Sequence, residues 1–238
     1  MTKRFYHYEH RTTSLREAFI RVVLRRPVHV RRAHFMLEGL DLEIARGESV
    51  ALLGANGSGK STALRLIAGI YAPTEGTVTT RGRLAAVIEL GVGFNPELTG
   101  AENIHLYAAV MGLSRREIAE RFDAIVAFAE VGDFIDEPVK YFSSGMQARL
   151  AFAIAVAVEP DILLLDEVLA VGDQRFRERC HARLRAHLAG GGTIVLVTHD
   201  LDSVRDFCRR GVWIDRGRVR LDGPIDEVVA AYRAAVES

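Results

Sequence analysis

Gly54-Ala55-Asn56-Gly57-Ser58-Gly59-Lys60-Ser61 is the stretch on which the reading of this chain turns. It fits the pattern G-x-x-x-x-G-K-[ST], and its flanks matter as much as its letters. The short apolar run Ser49–Leu53 precedes it, and a helical run to Ala68, closed by Gly69, follows. Strand, glycine turn and helix in that order make a βα unit. Glycines at 54, 57 and 59 let successive backbone N–H groups face inward around a phosphate, and the positive end of the following helix adds to the attraction. Lys60 is placed to reach the outer phosphates of a nucleotide, and the Ser61 hydroxyl to ligate magnesium.

Farther along the chain, Ile162-Leu163-Leu164-Leu165-Asp166-Glu167 is an apolar strand ending in two carboxylates. In an open parallel sheet the ligand crevice lies at such carboxyl ends. Asp166 is expected to hold magnesium and Glu167 to orient or deprotonate an attacking water. Thr198-His199-Asp200 ends the next apolar strand, which should bring His199 to the same edge. Phe142-Ser143-Ser144-Gly145-Met146-Gln147 precedes the longest apolar helix, so its hydroxyls and amides crown a second anion-seeking helix end. In one monomer these two ends need not meet. A head-to-tail dimer would let residues 143–145 of each protomer face the other's nucleotide.

Strand patterns at 49–53, 162–165 and 193–198 alternate with helical ones, which indicates an α/β fold on a parallel sheet. Helical patterns at 101–111, 114–131 and 145–158 read as an inserted helical subdomain of about 101–158 within a domain of 35–238, and a further helix spans 174–188. Residues 1–34 stand apart, with nine lysines and arginines against Glu9 and Glu17. There Ser14 and Glu17 form a capping box that opens a candidate helix ended by Pro27. Leu15, Phe19, Val22 and Val23 make its apolar stripe and Arg16, Arg21, Arg25 and Arg26 its polar side. Such a helix suits a membrane surface, a partner, or its own domain.

Over the whole chain 31 basic and 31 acidic residues cancel, so no uniform field favours a polyanion and no nucleic-acid partner is expected. A composition 49% hydrophobic and 26% charged excludes intrinsic disorder. The longest uninterrupted apolar run, 150–158, falls short of the roughly 18 residues of a membrane span, and nothing after Met1 reads as a secretory leader. Cys180 and Cys208 have no metal-ligand spacing and suit a reducing cytoplasm.

With these motifs in this order between 35 and 223, the sequence resembles the nucleotide-binding subunits of ATP-binding cassette (ABC) transporters. The resemblance implies the ABC-ATPase form of the P-loop NTPase fold, with a parallel-sheet core, an antiparallel β subdomain and an inserted α-helical subdomain. It implies ATP and Mg2+ as cofactors, held by Gly54, Asn56, Gly57, Ser58, Gly59, Lys60, Ser61 and Thr62, with Lys60 also serving catalysis. Asp166 becomes the Walker B acid and Glu167 the catalytic carboxylate. Ser143, Ser144 and Gly145 become the signature loop acting across a homodimer, Asp173 the D-loop aspartate, and His199 the switch histidine sensing the γ-phosphate. The family stacks the base on an aromatic ahead of the Walker A strand; Tyr6, His34 and Phe35 compete for that role here, and Phe35 is preferred.

Some positions depart from the family's commonest pattern. The signature reads Phe-Ser-Ser-Gly-Met, Val168-Leu169 follows the catalytic carboxylate, and no Gln occurs in 88–100, so Glu89 is the expected stand-in at the metal and permease contact. The run ELGVGFNPELTGAEN at 89–103, with SSGM at 143–146, resembles the ATPase subunits that export O-antigen, capsule and teichoic acid. The implied partners are a second copy, an integral membrane permease and a lipid-linked polysaccharide as cargo, at the cytoplasmic face of the bacterial inner membrane. Ending at Ser238, the chain resembles the short form without a glycan-binding module. The alternatives are an ATPase for another ABC transporter of small solutes, or a soluble ABC ATPase.

Overall fold

A computed structural model describes residues 1–9, 30–88, 93–166, 173–198, 200–201 and 204–236, with the backbone alone for 6–9 and 30–35. The helix expected from Ser14 lies outside the described residues. The chain runs β1 (Lys3–Glu9), β2 (Val30–Leu37), β3 (Ser49–Leu53), α1 (Lys60–Ile67), β4 (Leu84–Val87), α2 (Gly100–Val110) and α3 (Arg115–Ala129). Two 3-10 turns, Gly132–Asp136 and Val139–Tyr141, lead to α4 (Ser144–Ala157), then β5 (Ile162–Asp166), α5 (Gln174–Ala189) and β6 (Thr193–Val197). A short α6 (Val204–Phe207), β7 (Arg210–Asp215), β8 (Arg218–Pro224) and α7 (Ile225–Val236) complete it.

Six strands form one sheet in the order β4-β5-β6-β3-β7-β8, parallel throughout except for the antiparallel β7–β8 pair. The sequence of β3 shows why both faces are covered. Its residues are all buried, and alternate ones pack in opposite directions. Val50 and Leu52 join Ala63, Leu64 and Leu66 of α1 on one side, whereas Ala51 and Leu53 join Phe152 of α4, Phe176 and Leu184 of α5 and Val228 of α7 on the other. Helix α4 lies between two apolar layers, with Phe152 and Ala155 toward the sheet and Leu150 and Ile154 toward Ile104, Ile118 and Ile125 of α2 and α3. That double burial accounts for its unbroken apolar run. Capping boxes at Thr99/Glu102 and Ser114/Glu117 start α2 and α3 within a residue of the expected positions.

The expected border between residues 34 and 35 falls inside β2, which pairs antiparallel with β1 from Lys3↔Leu37 to Glu9↔Val30. The beginning of the chain is also fastened elsewhere. Leu40 N donates to Met1 O at 2.8 Å, Lys3 Nζ to Ala72 O at 2.8 Å, and Thr2 bridges Glu75. At the other edge, β7 and β8 are joined by a two-residue turn, Arg216 and Gly217, with φ of 48° and 79°. Two positive φ values mark the type I′ turn that matches strand twist. Among the described residues no helix is long and apolar enough to cross a membrane.

Candidate nucleotide-binding site

Parallel register lines up the carboxyl ends of the central strands. Leu52 of β3 lies opposite Val197 of β6, and Val197 opposite Asp166 of β5. Neighbouring strands are about 4.8 Å apart, so Gly54, Asp166 and Thr198 share one edge within a few strand widths. Glu167 and His199, which follow β5 and β6, lie outside the described residues, as does Glu89 beyond β4.

The glycine loop is held from behind. Gly59, the N-cap of α1, has φ of +110°, and a Cβ there would sit 2.4 Å from Met36 O and 2.7 Å from Leu37 Cδ2. The end of β2 therefore presses on the loop where a side chain would stand. Gly217, at the tip of the β7–β8 hairpin, donates its N–H to Ser58 O at 2.9 Å and accepts from Glu38 N at 2.8 Å. These contacts tie loop, hairpin and β2 together. Gly217 and the residues of β2 behind the loop were missed in the sequence; the signal for the hairpin was Asp215-Arg216-Gly217-Arg218 between an apolar run and an alternating one.

Inside the loop, Lys60 is only 6% exposed and its Nζ donates to Gly54 O at 2.7 Å and Ala55 O at 3.0 Å. A buried ammonium must be hydrogen-bonded, and here the curl of the loop supplies the acceptors. The Ser58 Oγ is buried with no hydrogen-bond partner among the described residues. No side chain caps α1, and its first turn contains no acidic residue. Its first N–H groups lack intrahelical partners by helix geometry. Such a concave run of donors with an embedded cation fits a polyphosphate. Asn56 and Gly57 are exposed at the mouth, Thr62 is buried, and Ser61 is half-buried one residue beyond the lysine. The hydroxyl of Ser61 and the half-buried carboxylate of Asp166 are the hard oxygen donors that suit Mg2+.

The remaining expected site residues sit on other elements. Ser143 is the N-cap of α4, its Oγ accepting from Met146 N at 3.2 Å. Ser143 and Ser144 are exposed, and a Cβ on Gly145 would meet nothing nearer than Ser143 Oγ at 3.8 Å. Phe142 just before them is buried in the helical layer, so a rigid base carries an open crown. Asp173 is the exposed N-cap of α5, accepting from Phe176 N at 2.8 Å. Phe35 pairs with Arg4 in the β1–β2 register, while the side chains of Tyr6, His34 and Phe35 lie outside the described residues.

Residues 37–170 match the family model of the ABC transporter. The chain is 47% identical over 205 residues to the O-antigen export system ATP-binding protein RfbB of Klebsiella pneumoniae, covering 86% of this chain and 83% of the relative. It is 37% identical over 238 residues to the teichoic acids export ATP-binding protein TagH of Staphylococcus epidermidis, covering 100% and 88%. Among solved structures it resembles a dimeric bacterial ABC transporter cassette with a TM-score of 0.71 at 25% identity, over 94% of this chain and 97% of that one. The chain belongs to the ATP-binding subunits of the ABC transporter family, alongside relatives named for O-antigen and teichoic acid export.

Proposed function

We propose that this chain is the ATP-hydrolysing subunit of an ABC transporter that exports a lipid-linked polysaccharide, working as a homodimer on a membrane permease at the cytoplasmic face of the inner membrane. The observation that carries the reading is the phosphate loop at the carboxyl edge of the sheet, with a buried Lys60, an unpartnered Ser58 Oγ and Asp166 on the same edge. The choice of cargo rests on the relatives named for O-antigen and teichoic acid export.

On this reading Lys60 exchanges the carbonyls of Gly54 and Ala55 for phosphate oxygens, and the Ser58 hydroxyl and the first N–H groups of α1 gain acceptors. Ser61 and Asp166 hold Mg2+, which when bound neutralises charge on the phosphates. Glu167 orients the water and His199 senses the outer phosphate. The exposed crown of Ser143, Ser144 and Gly145 closes on the partner's nucleotide, so that binding draws two copies together and hydrolysis releases them. Glu89 and the segment after it meet the permease.

The test replaces the chromosomal copy with Lys60→Ala and compares surface polysaccharide with lipid-linked polysaccharide retained inside the cell. Surface loss with internal accumulation is the expected result. Unchanged pools, with failure of some other solute's transport, would refute the cargo and leave the ATPase reading standing. Purified Glu167→Gln should dimerise on Mg-ATP, and a monomer at saturating nucleotide would refute the sandwich.

A further inference from the structure

Asn103 in α2 is fully buried, at 0% exposure, and its whole amide is engaged. Oδ1 accepts from Asn95 N at 2.8 Å, and Nδ2 shares its protons among the carbonyls of Asn95 at 3.0 Å, Leu98 at 3.1 Å and Thr99 at 2.9 Å. One side chain thus holds the turn 95–99 folded. That turn is in its own right hydrogen-bonded to the approach to the signature loop. Lys140 N donates to Pro96 O at 3.1 Å, Val139 N to Leu98 O at 2.9 Å and Gly100 N to Glu137 O at 3.1 Å. Outside, Lys140 Nζ pairs with Glu97 at 2.7 Å.

The same block continues to Ser143. A Cβ on Gly100 would lie 2.9 Å from the Phe142 ring and 3.0 Å from Ile135, so the two segments pack with no gap. Gln147 reaches back from α4 to the carbonyls of Val139 at 3.2 Å and Phe142 at 3.4 Å. At the opposite end Phe94 stacks edge-on against Tyr107, whose hydroxyl donates to Ala86 O of β4 at 3.3 Å. A continuous chain of contacts therefore runs from the core sheet through the 95–100 turn to the exposed signature serines.

We propose that Asn103 is a positioning residue for ATP hydrolysis: by holding folded the 95–99 turn to which residues 137–140 are hydrogen-bonded, it sets the height at which Ser143 and Ser144 meet the partner's nucleotide. This inference rests on the reading of residues 143–145 given above. Loss of stability alone would not decide it, because any buried amide left with unpaired neighbours costs free energy. The deciding readout is the split between binding and turnover. In the full-length chain, assayed well below each variant's own melting midpoint, Asn103→Asp should lower kcat about tenfold or more, since small misplacements of a reacting constellation are expensive. The affinity of the monomer for ATP, set at the separate phosphate loop and measured at protein concentrations too low for dimerisation, should stay within about twofold.

In a Ser143→Ala background the same substitution should have little further effect, because both act through one contact. If the two losses instead multiply as independent factors, or if Asn103→Asp turns over at the wild-type rate, the inference is overturned while the signature assignment stands. If Ser143→Ala itself turns over normally, the signature assignment fails and this inference with it. Should Asn103→Asp not fold, Lys140→Gln breaks the outer tie at the surface and carries the same comparison. It should lower kcat by a smaller factor with ATP affinity unchanged, and that loss too should vanish in Ser143→Ala. A wild-type kcat in Lys140→Gln would overturn the inference.

Discussion

Replacing Gly217 by Ala should damage the phosphate loop from outside it. The substitution puts a Cβ on a residue with φ of +79°, 2.8 Å from Met36 O and 3.0 Å from Leu37 Cα. The left-handed conformation costs an alanine about 1 kcal/mol. Both colliding atoms are backbone and cannot rotate aside, so the hairpin tip must shift, an overpacking strain of about 1–3 kcal/mol. Moving the tip also stretches the hydrogen bonds of Gly217 to Ser58 O and Glu38 N. Together the loss is about 2–4 kcal/mol, or about 5–15 °C in melting midpoint for a domain of this size. Thermal unfolding followed by circular dichroism, with titration of a fluorescent ATP analogue, would show both the lower midpoint and weakened nucleotide binding. Arg216→Gly is the control. It lies on the same turn with φ of 48° and is exposed, so it should not lower the midpoint. A Gly217→Ala protein with wild-type midpoint and wild-type nucleotide affinity would refute the clamp.

Two further outcomes follow from the geometry. Gly145→Ala would meet only Ser143 Oγ, at an ordinary 3.8 Å, and lies in the first turn of α4, where Ala is the better helix former, so the midpoint should hold or rise. Mg-ATP-driven dimerisation of Glu167→Gln carrying Gly145→Ala should nonetheless weaken in sedimentation or light scattering, and undiminished dimerisation would count against a partner nucleotide at this loop. His181, edge-on to Phe207 at 4.7 Å, has its pKa lowered chiefly by burial and secondarily by Arg185, against the opposing pull of Asp206. Its unfolded form takes up a proton first, so stability should fall as pH drops from the ordinary histidine range toward the lower folded value. Melting midpoints of His181→Gln should depend less on pH between about 7 and 5 than those of the wild type, and parallel curves would exclude the effect.

Elements whose signals are local were legible. The helices beginning near 100, 115 and 144 start where Thr99, Ser114 and Ser143 cap them, because a cap is settled within three residues. Strands β3, β5 and β6 declare themselves as short apolar runs buried on both faces. Strands β1 and β2 were not separable from the basic segment around them, since their partnership joins residues 3–9 to 30–37 across the sequence. Strand β8 alternates exposed and half-buried residues along an edge and carries a weak apolar signal. Asn95 and Asn103 sit in a stretch quoted for its resemblance, yet nothing in the letters says that one amide closes the turn made by the other.

The local sequence is enough to set the form of the loop at 54–62, since a glycine's allowed φ, a helix start and the reach of Lys60 are matters of a few neighbouring residues. It likewise determined that Asp166 ends an apolar strand. The folded arrangement decided what stands behind that loop. Met36 and Leu37 come from upstream, and Gly217 from more than 150 residues downstream, brought in because β7 pairs with β3 and turns back on itself at Arg216 and Gly217. It also decided that Asn103 closes the 95–99 turn and that this turn is hydrogen-bonded to residues 137–140. Contacts between distant segments depend on which strands and helices pack together, and that choice is made by the whole buried surface and not by any one stretch of chain.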